Sequence, residues 1–589
     1  MARAVLHGIP VSAGIAIGKS FFLNHRHKGL RHDLVPLDQV EAEAARLEAA
    51  VDAVAAEFEE AGAAMPTELH GQLDILQSHL LICRDPKLKN ETLRRIREGR
   101  MNAEWALEES LEQVARAFAR LNVPYIRDRI EDVRVVAGRI GRHLAGVVEK
   151  QRLETGRGIL LAYDLTPADA LSLSLDRISA FATEVGGKTT HTGILARNLR
   201  IPAVVGVGGL EDDVREGELL VVDGLEGKIL VEPSESELAD YMLRQRRFED
   251  YQRETRRNAA LPAETEDGLH ISVLANVEGR EEVEGLRGLG AEGVGLVRTE
   301  FFYIARSEMP REDELYEEYA HMVRTAAPHR VTFRTLDVGA DKIFSERAKL
   351  DEPNPALGLR AIRYCLRHQD VFRRQLRAIL RAAAHGKAAI MFPMISGVSE
   401  LRQAKSVLNE ARQELETASI PFDPDIPVGI MIELPAAVLI SDALAKESDF
   451  FSIGTNDLIQ YSLGVDRGNR HVAYLHQPLH PAVVRAVKHV VDMAHKAGIK
   501  VSVCGEMAAD PYCLPILLGM PVDEISVAPQ AIPGIKHLVR RSNGEECREL
   551  LQHALAASTV QSINKAVRHA VYSRFPDETA FYSSQLDTV

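Results

Sequence analysis

Cysteine is scarce in this chain. Five occur in 589 residues, Cys83, Cys365, Cys504, Cys513 and Cys547. They are scattered, odd in number and without the spacing of a metal knuckle, so neither a disulfide framework nor a zinc site is expected, and the setting reads as a reducing cytoplasm. A basic surplus is also lacking: 71 lysines and arginines face 85 aspartates and glutamates, a formal net charge of −14. That excludes a nucleic-acid binder at the scale of a domain, while leaving room for a local basic pocket that takes a small anion. No run approaches the roughly 18 apolar residues of a membrane span. The N-terminal stretch "MARAVLHGIPVSAGIAIGKSFFL" is broken by glycines and has no long apolar core, unlike a signal peptide. What remains is an ordinary soluble composition, 46% hydrophobic and 26% charged, in a chain long enough for roughly three or four domains.

The pattern changes several times along the chain. Residues 1–25 read as short strands joined by glycine turns. Residues 37–147 read as a helical unit: "LDQVEAEAARLEAAVDAVAAEFEEAG" and "NAEWALEESLEQVARAFARL" carry helical periodicity and helix-forming residues. Residues 148–233 return to short strands, such as "ISAFATEV" and "ELLVVDGLEGKILVEP", with an Asp223-Gly224 turn. The simplest organisation joins 1–25 and 148–233 into one α/β domain with the helical bundle inserted. Residues 234–268 are charged and helical, then break at Pro262 and Gly268, and read as a linker helix. From 269 to 575 eight strand-like runs alternate with helical runs, among them "GVGLVRTEF", "VTFRTLDV", "VGIMIEL", "FFSIGTNDL" and "KVSVCGEM". Eight βα units over this length predict a TIM barrel. Residues 576–589 are left as a C-terminal tail.

Two places carry chemistry. "GGKTTHTGILARN" sets His191 after a glycine pair and before a helix-forming run. Unpaired backbone N–H groups at a helix N-terminus favour phosphate, and the positive helix end keeps an imidazole neutral and nucleophilic. A capping histidine without chemistry fits the same local pattern. The second place is the C-terminal face of the barrel, where catalytic groups of this fold gather. The strand ends and the segments after them offer Arg298, Glu300, Arg334, Asp337, Lys342, Arg360, Glu433, Asn456, Asp457, Arg467, Cys504 and Glu506. Arginine forks suit phosphate and carboxylate. Glu433 and Asp457 are hard oxygen donors suited to Mg²⁺ shared with a substrate's own oxygens. Cys504 reads either as a proton donor or nucleophile in an electropositive mouth or as a small buried hydrophobe. A phosphoryl group passed from a small anion in the barrel to His191 joins the two places, with the linker as a hinge.

These residues bring a family into view. The chain resembles enzyme I of the phosphoenolpyruvate-dependent phosphotransferase system, from "GIPVSAGIAIGK" through "GGKTTHTGILARNLRIPAVVG", "FRTLDVGADK", "NPALGLRAIR", "GIMIELPAA" and "FSIGTNDLIQYSLGVDRGN" to "VCGEMAAD". The resemblance implies that His191 is the phosphorylated residue. It implies that Arg298, Arg334, Lys342, Arg360, Asn456 and Arg467 contact phosphoenolpyruvate, that Glu433 and Asp457 hold Mg²⁺, and that Cys504 protonates the enolpyruvate carbon. It further implies that residues 37–147 dock the carrier protein HPr and that the barrel forms a homodimer. The family's histidine segment often has arginine and serine where Lys188 and Thr190 stand; both exchanges keep the charge or the hydroxyl. No GAF-type sensor precedes the first domain, which points to the sugar branch of the system. Two other readings are open: a pyruvate–phosphate dikinase or phosphoenolpyruvate synthase, which would need an ATP-binding domain not found ahead of the histidine, and a non-catalytic phosphoenolpyruvate sensor.

Overall fold

The chain packs as two compact units, Met1–Phe248 and Glu249–Val589. The structure is a computed structural model that describes residues 2–24, 32–63, 73–119, 124–144, 157–165, 177–187, 192–193, 195–196, 201–303, 309–338, 354–467, 469 and 471–582. His191 and Lys342 lie outside the described residues.

In the first unit, β1 (Ala4–His7), β2 (Ile9–Ser12) and β3 (Ile15–Asn24) share one sheet with five later strands. These are β4 (Gly158–Ala162), β5 (Ile178–Thr183), β6 (Ala203–Val205), β7 (Leu219–Asp223) and β8 (Lys228–Val231). The order is β1-β8-β7-β3-β4-β5-β6-β2, with β3 parallel to β4 on one side and antiparallel to β7 on the other. The hairpin between β7 and β8 turns on Asp223, whose Oδ1 accepts from the amides of Leu225 and Glu226 at 3.0 Å each. Between β3 and β4 the chain makes α1 (Val40–Ala63), α2 (Leu73–Cys83), α3 (Pro86–Gly99), α4 (Ala103–Ala119) and α5 (Pro124–Leu144). In α1 the buried positions Val40, Ala44, Leu47, Val51, Val54 and Phe58 recur at three- and four-residue intervals, so one stripe faces the bundle core and the acidic residues face water. Asp85 caps α3 by accepting from the amide of Lys87, with Pro86 at the first helical position. A further helix, α6 (Glu235–Arg257), occupies the segment read as a linker.

The second unit is a closed barrel of eight parallel strands: β9 (Ser272–Val277), β10 (Val294–Arg298), β11 (Val331–Arg334), β12 (Ala388–Phe392), β13 (Val428–Ile432), β14 (Phe450–Gly454), β15 (Lys500–Cys504) and β16 (Glu524–Val527). Strands β12, β13, β14 and β16 are buried at every position, as a sheet covered by helices requires. The covering helices are amphipathic. Pro481–Ala497 buries Val483, Val484, Val487, Val490, Val491 and Ala494 and stops at Gly498 in the left-handed region, φ 75°.

The strands are shorter than the sequence pattern predicts. β14 ends at Gly454, whose pairing with Cys504 is the last in that ladder, so Asn456 and Asp457 lie in the first turn of the helix Thr455–Leu463. Likewise Glu433 follows β13 rather than ending it, and Glu506 opens a short helix. Apolar alternation cannot mark where parallel pairing stops at the rim. The residues up to Tyr582 also pack on the barrel: Glu578 lies 3.2 Å from His537, and Tyr582 is buried. Among the described residues no helix is long and apolar enough to cross a membrane.

Candidate active site

The last residues of β10 and β11 bring two arginines to the barrel rim. Arg334 is almost enclosed; its guanidinium pairs with Glu300 and, through Nη1, with Asp337 Oδ2 at 2.8 Å. Asp337 is shared: its Oδ1 accepts from Arg360 Nη2 at 2.9 Å. The same Arg360 nitrogen donates to Asp457 Oδ2 at 2.9 Å, and Nη1 reaches the hydroxyl of Tyr461 at 3.1 Å. Tyr461 in turn donates to the carbonyl of Ala356. A chain of alternating charges, Glu300–Arg334–Asp337–Arg360–Asp457, thus crosses the mouth. Each guanidinium is held between two carboxylates, Arg334 between Glu300 and Asp337 and Arg360 between Asp337 and Asp457, and both arginines stay charged because these carboxylates outweigh the cost of burial.

Glu433 sits beneath this chain, 2% exposed. Its Oε1 accepts from the amide of Met394 at 2.6 Å, and Met394 holds a left-handed backbone, φ 58°, to present that amide. Burial pushes the Glu433 carboxyl well above its ordinary range, and the charges of Asp337 and Asp457 push it further, against Arg334. Burial is the largest cause, and the charge balance adds to it. Among the described residues of this cluster, Glu300, Asp337, Asp457 and Glu433 are four carboxylates against two buried guanidiniums, Arg334 and Arg360, a surplus of two negative charges when all ionise. A proton on Glu433 relieves part of that surplus, and a divalent cation would relieve all of it. Glu433 and Asp457, which interact electrostatically, are hard oxygen donors that could share such a cation with oxygens of a substrate. Among the described residues no three His, Cys, Asp or Glu side chains form a metal-holding group by themselves. Gly454 leaves the room: a Cβ there would stand 2.8 Å from Glu433 Oε2 and 2.9 Å from the Met431 sulfur.

Arg298, and with it Arg467, stands at the exposed rim. Arg298 pairs with Glu278 at 3.0 Å and Arg467 with Glu506 at 3.1 Å; their side chains are 39% and 45% exposed. Such exposed pairs contribute little to stability. The side chain of Asn456 is already engaged, its Oδ1 accepting from the amide of Glu506 at 2.9 Å. That contact relies on Gly505, in a backbone region that side chains disfavour, φ 99°, where a Cβ would meet Thr455 Oγ1 at 2.4 Å.

Cys504 closes the site from inside the barrel. It is 3% exposed and packs with Leu296, Ala389, Met391, Met431 and Phe450. Burial raises the thiol; the hydrogen bond from Ser452 and the charges of Arg334 and Arg298 oppose this, while Glu433 adds to it. The net direction is upward, so the group is a thiol at neutral pH. The buried-hydrophobe and proton-donor readings of this residue are therefore compatible.

The structure brings Arg298, Arg334, Arg360, Glu433, Asp457 and Cys504 into one electrostatic neighbourhood. It gives no position for His191 or Lys342. Beside His191, Thr192 is buried and its hydroxyl donates to Asp164 Oδ1 at 2.6 Å and to the carbonyl of Leu165 at 3.3 Å, so Thr192 is tied to the exit of β4. Sequence reasoning gave no role to Met394, Tyr461 or Ser452. Met394 takes part through its backbone amide alone.

Comparison with known proteins covers the same ground. Family models match in succession: PEP-utilising enzyme, N-terminal, over residues 7–129; PEP-utilising enzyme, mobile domain, over 155–227; and PEP-utilising enzyme, PEP-binding domain, over 252–544. The phosphoenolpyruvate-protein phosphotransferase of Geobacillus stearothermophilus is 41% identical over 566 residues, covering 96% of this chain and 97% of that protein. That of Priestia megaterium is 39% identical, covering 96% and 98%, and that of Staphylococcus aureus 36% identical, covering 96% and 99%. Matches of this extent, on a chain whose second unit is the expected barrel, establish that it belongs to the phosphoenolpyruvate-protein phosphotransferase family.

Proposed function

We propose that this protein takes the phosphoryl group of phosphoenolpyruvate onto His191, passes it to a histidine of HPr and releases pyruvate, as the first step of a sugar phosphotransferase system in the cytoplasm. The observation that carries the reading is the near full-length identity to proteins of that name, and the charge pattern of the barrel mouth agrees with it. In this reading Arg298, Arg334, Lys342, Arg360, Asn456 and Arg467 contact the substrate. The rim arginines exchange Glu278 and Glu506 for the incoming anion, while the inner pair stays anchored on Asp337.

Glu433 and Asp457 would hold Mg²⁺, which when bound offsets negative charge on the transferring group. The remaining steps belong to the chain itself. The His191 ring attacks phosphorus in line; the N–P bond forms as the P–O bond to the enol oxygen breaks, and that electron pair leaves with enolpyruvate. The thiol of Cys504 then gives its proton to the methylene carbon, and the S–H electron pair stays on sulfur. A thiol kept protonated by burial suits this donor role better than a nucleophilic one. The reading also includes residues 1–25 with 148–233 as the histidine domain, 37–147 as the HPr-docking domain, 234–268 as the hinge and 269–575 as a dimerising barrel.

The test is intact mass of the full chain with phosphoenolpyruvate and Mg²⁺, without nucleotide, beside His191→Ala. One phosphoryl group, lost in acid and missing from the variant, is expected. No added mass and no pyruvate would overturn the reading.

A further inference from the structure

Cys504 is not held by packing alone. From the neighbouring strand β14, Ser452 donates its hydroxyl to the Cys504 sulfur at 3.4 Å, and the sulfur's own proton points to the carbonyl of Ile453 at 3.5 Å. The backbone is pinned in turn, because Thr455 Oγ1 donates to the carbonyl of Cys504 at 2.9 Å. Ser452 is 1% exposed and Thr455 fully buried. Around the sulfur the other packed side chains, Leu296, Ala389, Met391, Met431 and Phe450, offer no hydrogen. A buried serine that served only packing would bond a carbonyl, as Ser502 does one strand over with Phe451 at 3.4 Å. Ser452 instead aims its proton at the one side chain of the apolar layer that can carry charge.

Resting on the proton-donor reading of Cys504, we propose that Ser452 is a positioning residue for that proton transfer: its hydroxyl stabilises the thiolate left when Cys504 protonates enolpyruvate. The balance is simple. The carbon takes the thiol proton, the S–H electron pair remains on sulfur, and the Ser452 O–H bond is kept as its hydrogen bond to sulfur shortens. Water restores the thiol proton once pyruvate has left. In the thiol state the same contact is a weak neutral one; it strengthens only as charge appears, which is what a contribution to the rate requires. The groups that face the sulfur electrostatically are Arg334, Arg298 and Glu433. All three are unchanged in a Ser452 variant, so the difference from the natural protein isolates the hydroxyl.

The test uses the full chain with Mg²⁺. Pyruvate and D₂O give the exchange of methyl protons by NMR, phosphoenolpyruvate gives single-turnover phosphorylation of His191 by rapid-quench mass, and alkylation against pH gives the Cys504 titration. Ser452→Ala is expected to slow methyl exchange about three- to tenfold and to raise the apparent thiol pKa by about one unit, with phosphorylation changed less than about twofold. Ser452→Cys, close in volume and a weaker donor, is expected to fall between, and it carries the test where the alanine variant does not fold. Equal loss of exchange and phosphorylation, or no change in exchange, overturns the proposal. Cys504→Ala separates the two levels. Full exchange in Cys504→Ala refutes the donor reading itself; slowed exchange there, with Ser452→Ala unaffected, refutes only the role of Ser452.

Discussion

Asp337 is the hinge of the charge chain, and replacing it isolates what that chain contributes. Its side chain is 3% exposed and holds Arg334 at 2.8 Å and Arg360 at 2.9 Å. Asp337→Asn keeps the shape and one acceptor oxygen but removes the charge between two guanidiniums that are themselves largely enclosed. Breaking a buried pair by removing one partner costs about 3–5 kcal/mol. Arg334 keeps Glu300 and Arg360 keeps Asp457, so the cost belongs at the lower end, about 3 kcal/mol, or roughly a hundredfold in the opening equilibrium of this face of the barrel. Hydrogen exchange reads it directly: amides of β11 and of the helix Ile362–Arg367 should lose protection by that factor. Far-UV dichroism should show a lower thermal midpoint. Tryptophan emission supplies a control, because the single tryptophan, Trp105, belongs to the helical bundle, where it stacks on His32 at 5.1 Å. Unchanged protection across β11 would refute the reasoning and mean that the arginines are held by packing rather than by the shared carboxylate.

Two further predictions test other parts of the molecule. His537 lies buried against Tyr251; burial and Arg541 push its ring down to about 4, although Glu578 is 3.2 Å away, since that carboxylate already serves Arg541 and the hydroxyl of Tyr582. A base whose folded pKa is depressed leaves stability intact above the unfolded value, near 6.5, and loses it as pH falls toward 4, because only the unfolded chain takes the proton. The loss amounts to about 3 kcal/mol over that window, and His537→Gln should flatten it, which thermal melts of both proteins at pH 7 and 4.5 would reveal; parallel pH dependence in the two would refute the assignment. Gly454→Ala places a methyl 2.8 Å from Glu433 Oε2 and 2.9 Å from the Met431 sulfur, both side chains buried, so it should lower stability by about 1–3 kcal/mol and raise the Mg²⁺ concentration needed for half-maximal His191 phosphorylation by about tenfold; an unchanged Mg²⁺ titration would refute the proposed role of Glu433 as a metal ligand.

Much of this was legible in one dimension, for definite reasons. The eight strands of the barrel announce themselves because β12, β13 and β14 are buried on both faces and must be apolar throughout, while helices such as Pro481–Ala497 repeat valine on a single stripe. The candidate residues after those strands could be named because this fold gathers function at the C-terminal ends. The ends themselves could not be placed: Asn456 and Asp457 read as strand and belong to a helix, since rim pairing depends on the neighbouring strand and leaves no periodic trace.

The amino-acid sequence by itself determined the order of elements, the barrel, the acidic balance and the set of arginines and carboxylates that meet at the mouth. Only the tertiary structure decided how they are paired. Asp337 is shared by two arginines that lie 26 residues apart in sequence, Arg334 and Arg360. The Glu433 carboxyl is poised by an amide from the loop after β12 and by two aspartates from elsewhere. Cys504 meets the hydroxyl of Ser452 across a strand boundary. Such pairings follow from barrel closure, which brings residues together by register rather than by spacing, and burial then sets their charge states.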